Sequence, residues 1–254
     1  MQKLTLADTE VARIGLGTNR LTTTPEHLAF VRDAVAAGVS LIDTAWTYAR
    51  GESEKTIGKA LSPFPDDCVV ATKGGYAPGN GRPEVLRAQI EESLHRLRTE
   101  SIELYYLHRV HPDTPLEASL GAIAEYLDVG KVRHVGLSEV GVEQIERARE
   151  LVPVAAVQNE YNLSDRRWDD VVDYCAGEGI AFVPFFPLHG DGGPALAEIA
   201  RRHGATETQI ALAWLLRRSP TMLPIPGTRS LDHLQENLAA LEIELSDAEF
   251  DALA

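Results

Sequence analysis

Short apolar segments rich in β-branched and aromatic residues alternate along the whole chain with longer stretches whose apolar residues recur at helical spacing. That alternation is the signature of parallel strands joined by crossover helices, and eight such pairs can be counted. The strand segments are RIGLG (13–17), SLID (40–43), CVVATK (68–73), IELYYL (102–107), VRHVGL (132–137), VAAVQ (154–158), IAFVPF (180–185) and MLPIP (222–226). Helix starts are predicted where Thr24 precedes Pro25 and Glu26, where Thr114 precedes Pro115, and where Ser164 and Asp165 open a segment running to Ala176. Gly38, Gly130 and Gly179 fall where helices hand over to strands, as a left-handed cap requires. With no linker or break in composition, the pattern predicts one domain over residues 1–254. Its class is α/β, a closed (β/α)8 TIM barrel, with the first ten residues left as a plug or short hairpin. An open doubly wound sheet competes with this reading, but its dinucleotide fingerprint is incomplete: GLGTNR, from Gly15, lacks the third glycine.

Composition narrows the function. The chain has 254 residues, 44% hydrophobic and 24% charged, and no apolar run long enough to cross a bilayer, so no membrane role is expected. Its net charge of -14 repels phosphate backbones, which argues against nucleic acid as a partner. Cys68 and Cys175 both sit inside apolar strand-like or helix-like patterns, and the opening MQKLTLADTE lacks a basic region followed by an apolar stretch. Reduced thiols, a cytoplasmic location and a monomer are the expectations.

In a barrel, the residues just past each strand converge on one face, where barrel enzymes place their chemistry. Strand two ends in Asp43, strand three in Lys73 and strand four in His108, while Tyr48 lies in the loop after strand two. Each has an ordinary structural explanation by itself, but three consecutive strands ending in Asp, Lys and His are hard to attribute to packing. A phenol of ordinary pKa near ~10 parts with its proton reluctantly at neutral pH, and a neighbouring ammonium at Lys73 is expected to lower that value. Asp43 would offset the cost of burying the amine and fix its direction. His108, neutral, would orient a carbonyl and stabilise charge developing on its oxygen. The set is a general acid aimed at a carbonyl oxygen, and a hydride donor is the economical source of the group added to carbon. No His/Cys cluster with metal-ligand spacing occurs, so no metal is expected.

The segments IDTAWTY, ATKGG, YYLHR, GLSE, QNEYN, PFFPL and IPGTR with HLQEN resemble, in order and over nearly the whole chain, the motifs of the aldo-keto reductase superfamily, in a short bacterial-type form. The resemblance implies an NADPH-dependent oxidoreductase that reduces aldehydes or ketones to alcohols. Tyr48 would be the general acid, Lys73 and Asp43 would tune it, and His108 would orient the substrate. It assigns Ser138 and Gln158 to the nicotinamide carboxamide and Phe185 to stacking, with Phe186, Pro187 and Leu188 completing that wall. Where the family often has Asn and Tyr, this chain has Glu139 and Phe185. Glu139 still accepts from an amide, and Phe185 keeps its π-face. Gly17, Thr18 and Asn19 would lie on the nicotinamide side.

After strand eight, Gly227 and Thr228 stand at a helix N-terminus, where free N–H groups attract phosphate, and Arg229 offers a fork of donors suited to the 2′-phosphate of NADP. By analogy His233, Glu236 and Asn237 follow along the same helix, the last two toward the adenine. A small carbonyl substrate would be selected by Trp46, which favours aromatic aldehydes, and by Arg109. Two rivals stay open: a Schiff-base aldolase or lyase acting through Lys73, and a non-catalytic NADPH-binding regulatory barrel.

Overall fold

The computed structural model describes residues 2–190 and 192–253. The chain begins as an antiparallel hairpin, β1 (Lys3–Leu6) and β2 (Thr9–Ala12), turning through Ala7 at positive φ. Seven parallel strands follow: β3 (Leu16–Gly17), β4 (Leu41–Asp43), β5 (Val69–Gly74), β6 (Ile102–Leu107), β7 (Val132–Ser138), β8 (Val154–Gln158) and β9 (Ala181–Phe182), hydrogen-bonded in sequence order. The crossovers are α1 (Pro25–Ala36), α2 (Glu52–Leu61), α3 (Pro83–Leu97), α4 (Leu116–Asp128), α5 (Val142–Arg149) and α6 (Asp169–Glu178), then α7 (Gly193–His203) with α8 (Glu207–Arg218). Two more helices, α9 (Leu231–Ala239) and α10 (Asp247–Ala252), complete the described chain.

The eighth strand predicted at residues 222–226 is not a regular strand, and the reason is its two prolines. Leu223 and Ile225 donate their N–H groups to Phe182 O (2.9 Å) and Pro184 O (3.3 Å) on one side. Pro224 and Pro226 face β3, where they accept from Gly15 N (2.9 Å) and Gly17 N (3.1 Å) but have no N–H to return. The segment therefore closes the cylinder between β9 and β3 with half a ladder. A Cβ on Gly17 would stand 2.8 Å from Ile225 O, so this seam needs a glycine. The sheet and its surrounding helices form a (β/α)8 barrel.

Strand parity sorts the core. Leu41, Val69, Ala71, Leu104, Tyr106, Ala156 and Val183 point into the barrel, and Leu6 and Val11 of the hairpin plug its lower end. Ile42, Val70, Tyr105, Leu107 and Val135 point outward into the helix layer. The strands β5 and β6 are buried on both faces, which explains their nearly unbroken apolar sequence. Because side chains alternate with a period of two, Asp43, Lys73 and His108 share parity with the inward set and end their strands over the barrel mouth.

Helix boundaries depend on caps. Thr24 caps α1 by accepting from His27 N, as expected. Gly38, Gly130 and Gly179 all have positive φ. The predicted start at Ser164 and Asp165 is wrong: both N–H groups bond to Asn162 Oδ1 at 2.9 Å, forming a turn, and α6 begins only at Asp169. No helix among the described residues is long and apolar enough to cross a membrane. Cys68 and Cys175 are free and buried, their thiols pushed up to about 12 by burial.

Candidate active site

Lys73 is fully buried at the end of β5. Its Nζ donates to Asp43 Oδ1 at 2.5 Å, to Thr44 O at 2.7 Å and to Tyr48 Oη at 3.5 Å, which uses all three N–H bonds of an ammonium. The second oxygen of Asp43 accepts from Gln158 Nε2 at 2.8 Å. Tyr48 starts a single 3-10 turn, Tyr48–Gly51, in which Ala49 and Arg50 both take left-handed φ values of 48° and 57°. Two consecutive non-glycine residues in that region hold strain, and here it turns the chain directly beneath the phenol. His108 sets its ring edge-on to Tyr48, with centroids 6.1 Å apart, and makes no ring hydrogen bond within the described residues.

Burial works against every charge in this corner. It pushes the Asp43 carboxyl up, against the pull of Lys73 and the bond from Gln158. Burial also opposes the Lys73 charge, but the charge and hydrogen bond of Asp43, with a contribution from Tyr48, outweigh it and hold the ammonium above its ordinary value. Tyr48 departs from expectation: burial raises its phenol by more than Lys73 lowers it, and Asp43 adds to the rise. His108 lies well below the ordinary histidine value because it is buried beside the positive charges of Lys73 and Arg109. At neutral pH the corner holds a phenol with its proton, a charged amine and a neutral imidazole.

These groups border a cavity of about 1040 Å³ that runs from Tyr48 and His108, past Ser138 and Phe185, to Thr228, Arg229 and His233. Among the residues predicted for the site, Gly17, Thr18, Asn19, Asp43, Arg109, Gln158, Phe186, Pro187, Leu188 and Gly227 also line it. Lys73 lies beneath the cavity wall and reaches it through Tyr48.

Besides Lys73, four predicted residues do not line the cavity. Trp46, expected to touch substrate, instead donates from Nε1 to Glu92 at 2.7 Å and packs under the Arg96 guanidinium, 5.3 Å from its centroid. Glu139, at φ 56°, turns its carboxylate to accept from Glu160 N at 2.7 Å. Glu236 accepts from Thr206 Oγ1 at 2.7 Å, and Asn237 is buried. They lie three and four residues beyond His233, roughly 5 Å further along α9.

Other residues carry no strand-end signal and enter only through folding. Tyr76, 48% exposed, tilts against His108 at 4.8 Å and takes the aromatic wall expected of Trp46. His189 stacks flat on Phe186 at 4.3 Å, where Phe186 is itself at φ 51°. Beneath the corner, buried Ser53 ties Thr44 Oγ1 (2.8 Å) to Thr18 O (2.9 Å), while Thr18 Oγ1 bonds to Asp43 O at 2.7 Å. Buried Glu54 accepts from Thr72 Oγ1 at 2.6 Å and from Arg96 at 3.2 Å. The ESE triplet at residues 52–54 thus places two buried polar side chains under the site.

At the far end, Ser230 caps α9 by accepting from His233 N. Arg229 is exposed and has no acidic partner among the described residues. Free N–H groups, a helix dipole and an unpaired guanidinium together suit an anionic group. The other end, with a hydroxyl, an amide and an aromatic face at Ser138, Gln158 and Phe185, suits a flat amide-bearing ring. No group of three or more His, Cys, Asp or Glu side chains arranged to hold a metal ion occurs among the described residues.

Comparison with known proteins bears on this geometry. The sequence model of the Aldo/keto reductase family matches residues 13–254. An uncharacterized oxidoreductase of Schizosaccharomyces pombe is 37% identical over 268 residues, spanning 98% of this chain and 87% of that protein. Pyridoxine 4-dehydrogenase of Escherichia coli is also 37% identical over 268 residues, spanning 96% of this chain and 94% of its own length. A thermostable aldo-keto reductase solved with the inhibitor epalrestat superposes with a TM-score of 0.91 at 33% identity, covering all of this chain and 98% of the other. An aldo/keto reductase of Klebsiella pneumoniae, solved with NADP and acetate, gives 0.87 at 29% identity, covering 98% and 92%. The chain belongs to the aldo/keto reductase family, and with it to the oxidoreductases.

Proposed function

We propose that residues 1–254 form one domain, a monomeric cytoplasmic enzyme that reduces small aldehydes or ketones to alcohols with NADPH, and that Tyr48 delivers the proton. The observation that carries this reading is the contact of Tyr48 Oη with the charged, fully buried Lys73 Nζ at 3.5 Å, at the floor of the large cavity. The free, buried cysteines suit a reducing compartment.

The residues present fit the cofactor: Ser138 and Gln158 would hold its carboxamide, Phe185 would lie against its ring, and Gly227, Thr228 and Arg229 would take its 2′-phosphate. When bound, NADPH supplies the hydride. Tyr48 Oη gives its proton to the carbonyl oxygen. Lys73, held by Asp43 and Thr44 O, then stabilises the phenolate left behind, and this charge need arises only during the reaction. His108 donates to the same oxygen from a neutral ring. Because burial raises the phenol, Tyr48 stays protonated across the neutral range, the state a general acid needs.

The lyase alternative requires a neutral Lys73 amine, whereas this amine has its charge strengthened and all three N–H bonds occupied. In Tyr48→Phe, turnover followed by NADPH absorbance is expected to fall by about 100- to 10,000-fold, with NADPH affinity by fluorescence quenching unchanged. Retention of most activity by this variant, or a borohydride-trapped adduct on Lys73, would overturn the proposal. Quenching of wild-type fluorescence without turnover of any carbonyl would point to the regulatory barrel. Given the 37% identity to pyridoxine 4-dehydrogenase, pyridoxine, in the oxidative direction, belongs in the substrate screen.

A further inference from the structure

Arg109 follows His108 immediately, is half-buried, and borders the cavity beside the proton donor. One of its terminal nitrogens, Nη1, is committed: it donates to His108 O at 2.9 Å and to Ser138 Oγ at 3.1 Å. Its Cζ lies 5.7 Å from the centroids of both Tyr76 and Phe185, so two aromatic faces fix where the guanidinium sits. Nε and Nη2 make no hydrogen bond within the described residues, and no acid there pairs with the group. Those two N–H groups form one edge of the planar fork, the edge that matches two carboxylate oxygens.

Local charge points the same way. Lys73 is balanced by Asp43 at 2.5 Å and His108 is neutral, so Arg109 leaves this end of the cavity with an uncompensated positive charge in a protein whose net charge is -14. Exclusion from bulk water strengthens such a charge. Ordinary aldehydes offer it nothing.

Building on the reductase reading, we infer that the preferred substrates are carbonyl compounds bearing a carboxylate, which the free Nε and Nη2 edge of Arg109 grips while the carbonyl faces Tyr48 and His108. Trp46, turned away from the cavity, takes no part in this choice. The carboxylate undergoes no chemistry; it anchors.

The test is NADPH-dependent reduction of a matched pair, 4-oxobutanoate and butanal, by the wild-type protein, Arg109→Met and Arg109→Lys. Wild type is expected to favour the oxo acid in kcat/KM by about tenfold or more, the size of one charge-assisted paired contact. Arg109→Met should collapse that ratio toward one, chiefly through KM of the oxo acid, and Arg109→Lys should keep only part of it. Succinate should inhibit wild type competitively against aldehyde, more strongly at low salt. An equal kcat/KM for the two aldehydes in wild type, or an unchanged ratio in Arg109→Met, overturns the inference. If Arg109→Met fails to fold, the wild-type ratio and Arg109→Lys decide it. If neither aldehyde is reduced, the reductase reading fails instead. Titration of succinate into the NADPH-saturated protein then decides the anion site: binding weakened in Arg109→Lys supports it, and no binding to wild type, or undiminished binding in Arg109→Lys, refutes it.

Discussion

The two ends of the cavity solve opposite electrostatic problems. At the Tyr48 end the buried ion pair and the groups beneath it are interlocked: Lys73 has three acceptors, Asp43 has a partner on each oxygen, and Thr18, Thr44 and Ser53 bond to one another beneath them. At the Arg229 end the guanidinium is exposed and without an acidic partner among the described residues, and the N–H groups of the helix N-terminus that Ser230 does not cap face the same end. The Lys73–Asp43 pair is arranged before any ligand arrives; Arg229 gains its partner only from one. The difference separates an ion pair satisfied by the fold from an exposed cation open to an anion, because buried charges must be satisfied by the fold itself while exposed ones can wait.

Removing a charge is the direct way to break that contrast. Lys73→Met should leave Asp43 buried without its counter-charge and cost about 3–5 kcal/mol of stability by urea unfolding. Replacing both members, as Asp43→Leu with Lys73→Met, should recover much of that loss, while activity remains absent. At the other end, Arg229→Ala should leave the unfolding midpoint unchanged. Its effect should appear in binding, with NADPH weakened by about tenfold or more and NADH unaffected, as expected for lost charged hydrogen bonds. Raising ionic strength should weaken NADPH binding to wild type more than to Arg229→Ala, since an exposed pair is screened.

The smallest effect is one of pH. His108 is held neutral in the fold, whereas in the unfolded chain it takes up a proton below about pH 6.5. The unfolded state then binds more protons, so stability falls as pH drops through that value toward the lower folded one. His108→Asn should flatten the unfolding midpoint between pH 7 and pH 5. An unchanged slope would mean that the imidazole is not kept neutral.

Legibility from sequence follows the same division. Asp43, Lys73 and His108 could be read because strands alternate with a period of two and end at a shared level, so parity and position in the chain fix both side and height. The positive φ at Gly38, Gly130 and Gly179 could be read because glycine alone adopts it without strain. Trp46 could not. Its neighbours Glu92 and Arg96 belong to α3, 46 and 50 residues away, and only the packing of that helix reveals that they capture the indole and the Trp46 carbonyl. Glu139 faced the same difficulty, since a left-handed backbone at a non-glycine residue leaves no mark in the sequence.

The chain's own pattern of residues determined the barrel, the level at which its chemistry collects and the types of group gathered there, because hydrophobic periodicity and strand parity are local properties. Tertiary structure alone decided the direction of the Tyr48 shift, the exchange of Trp46 for Tyr76 and the free edge of Arg109. Those outcomes depend on how far each group is removed from water and which distant element reaches it first, and neither quantity is written in any one segment.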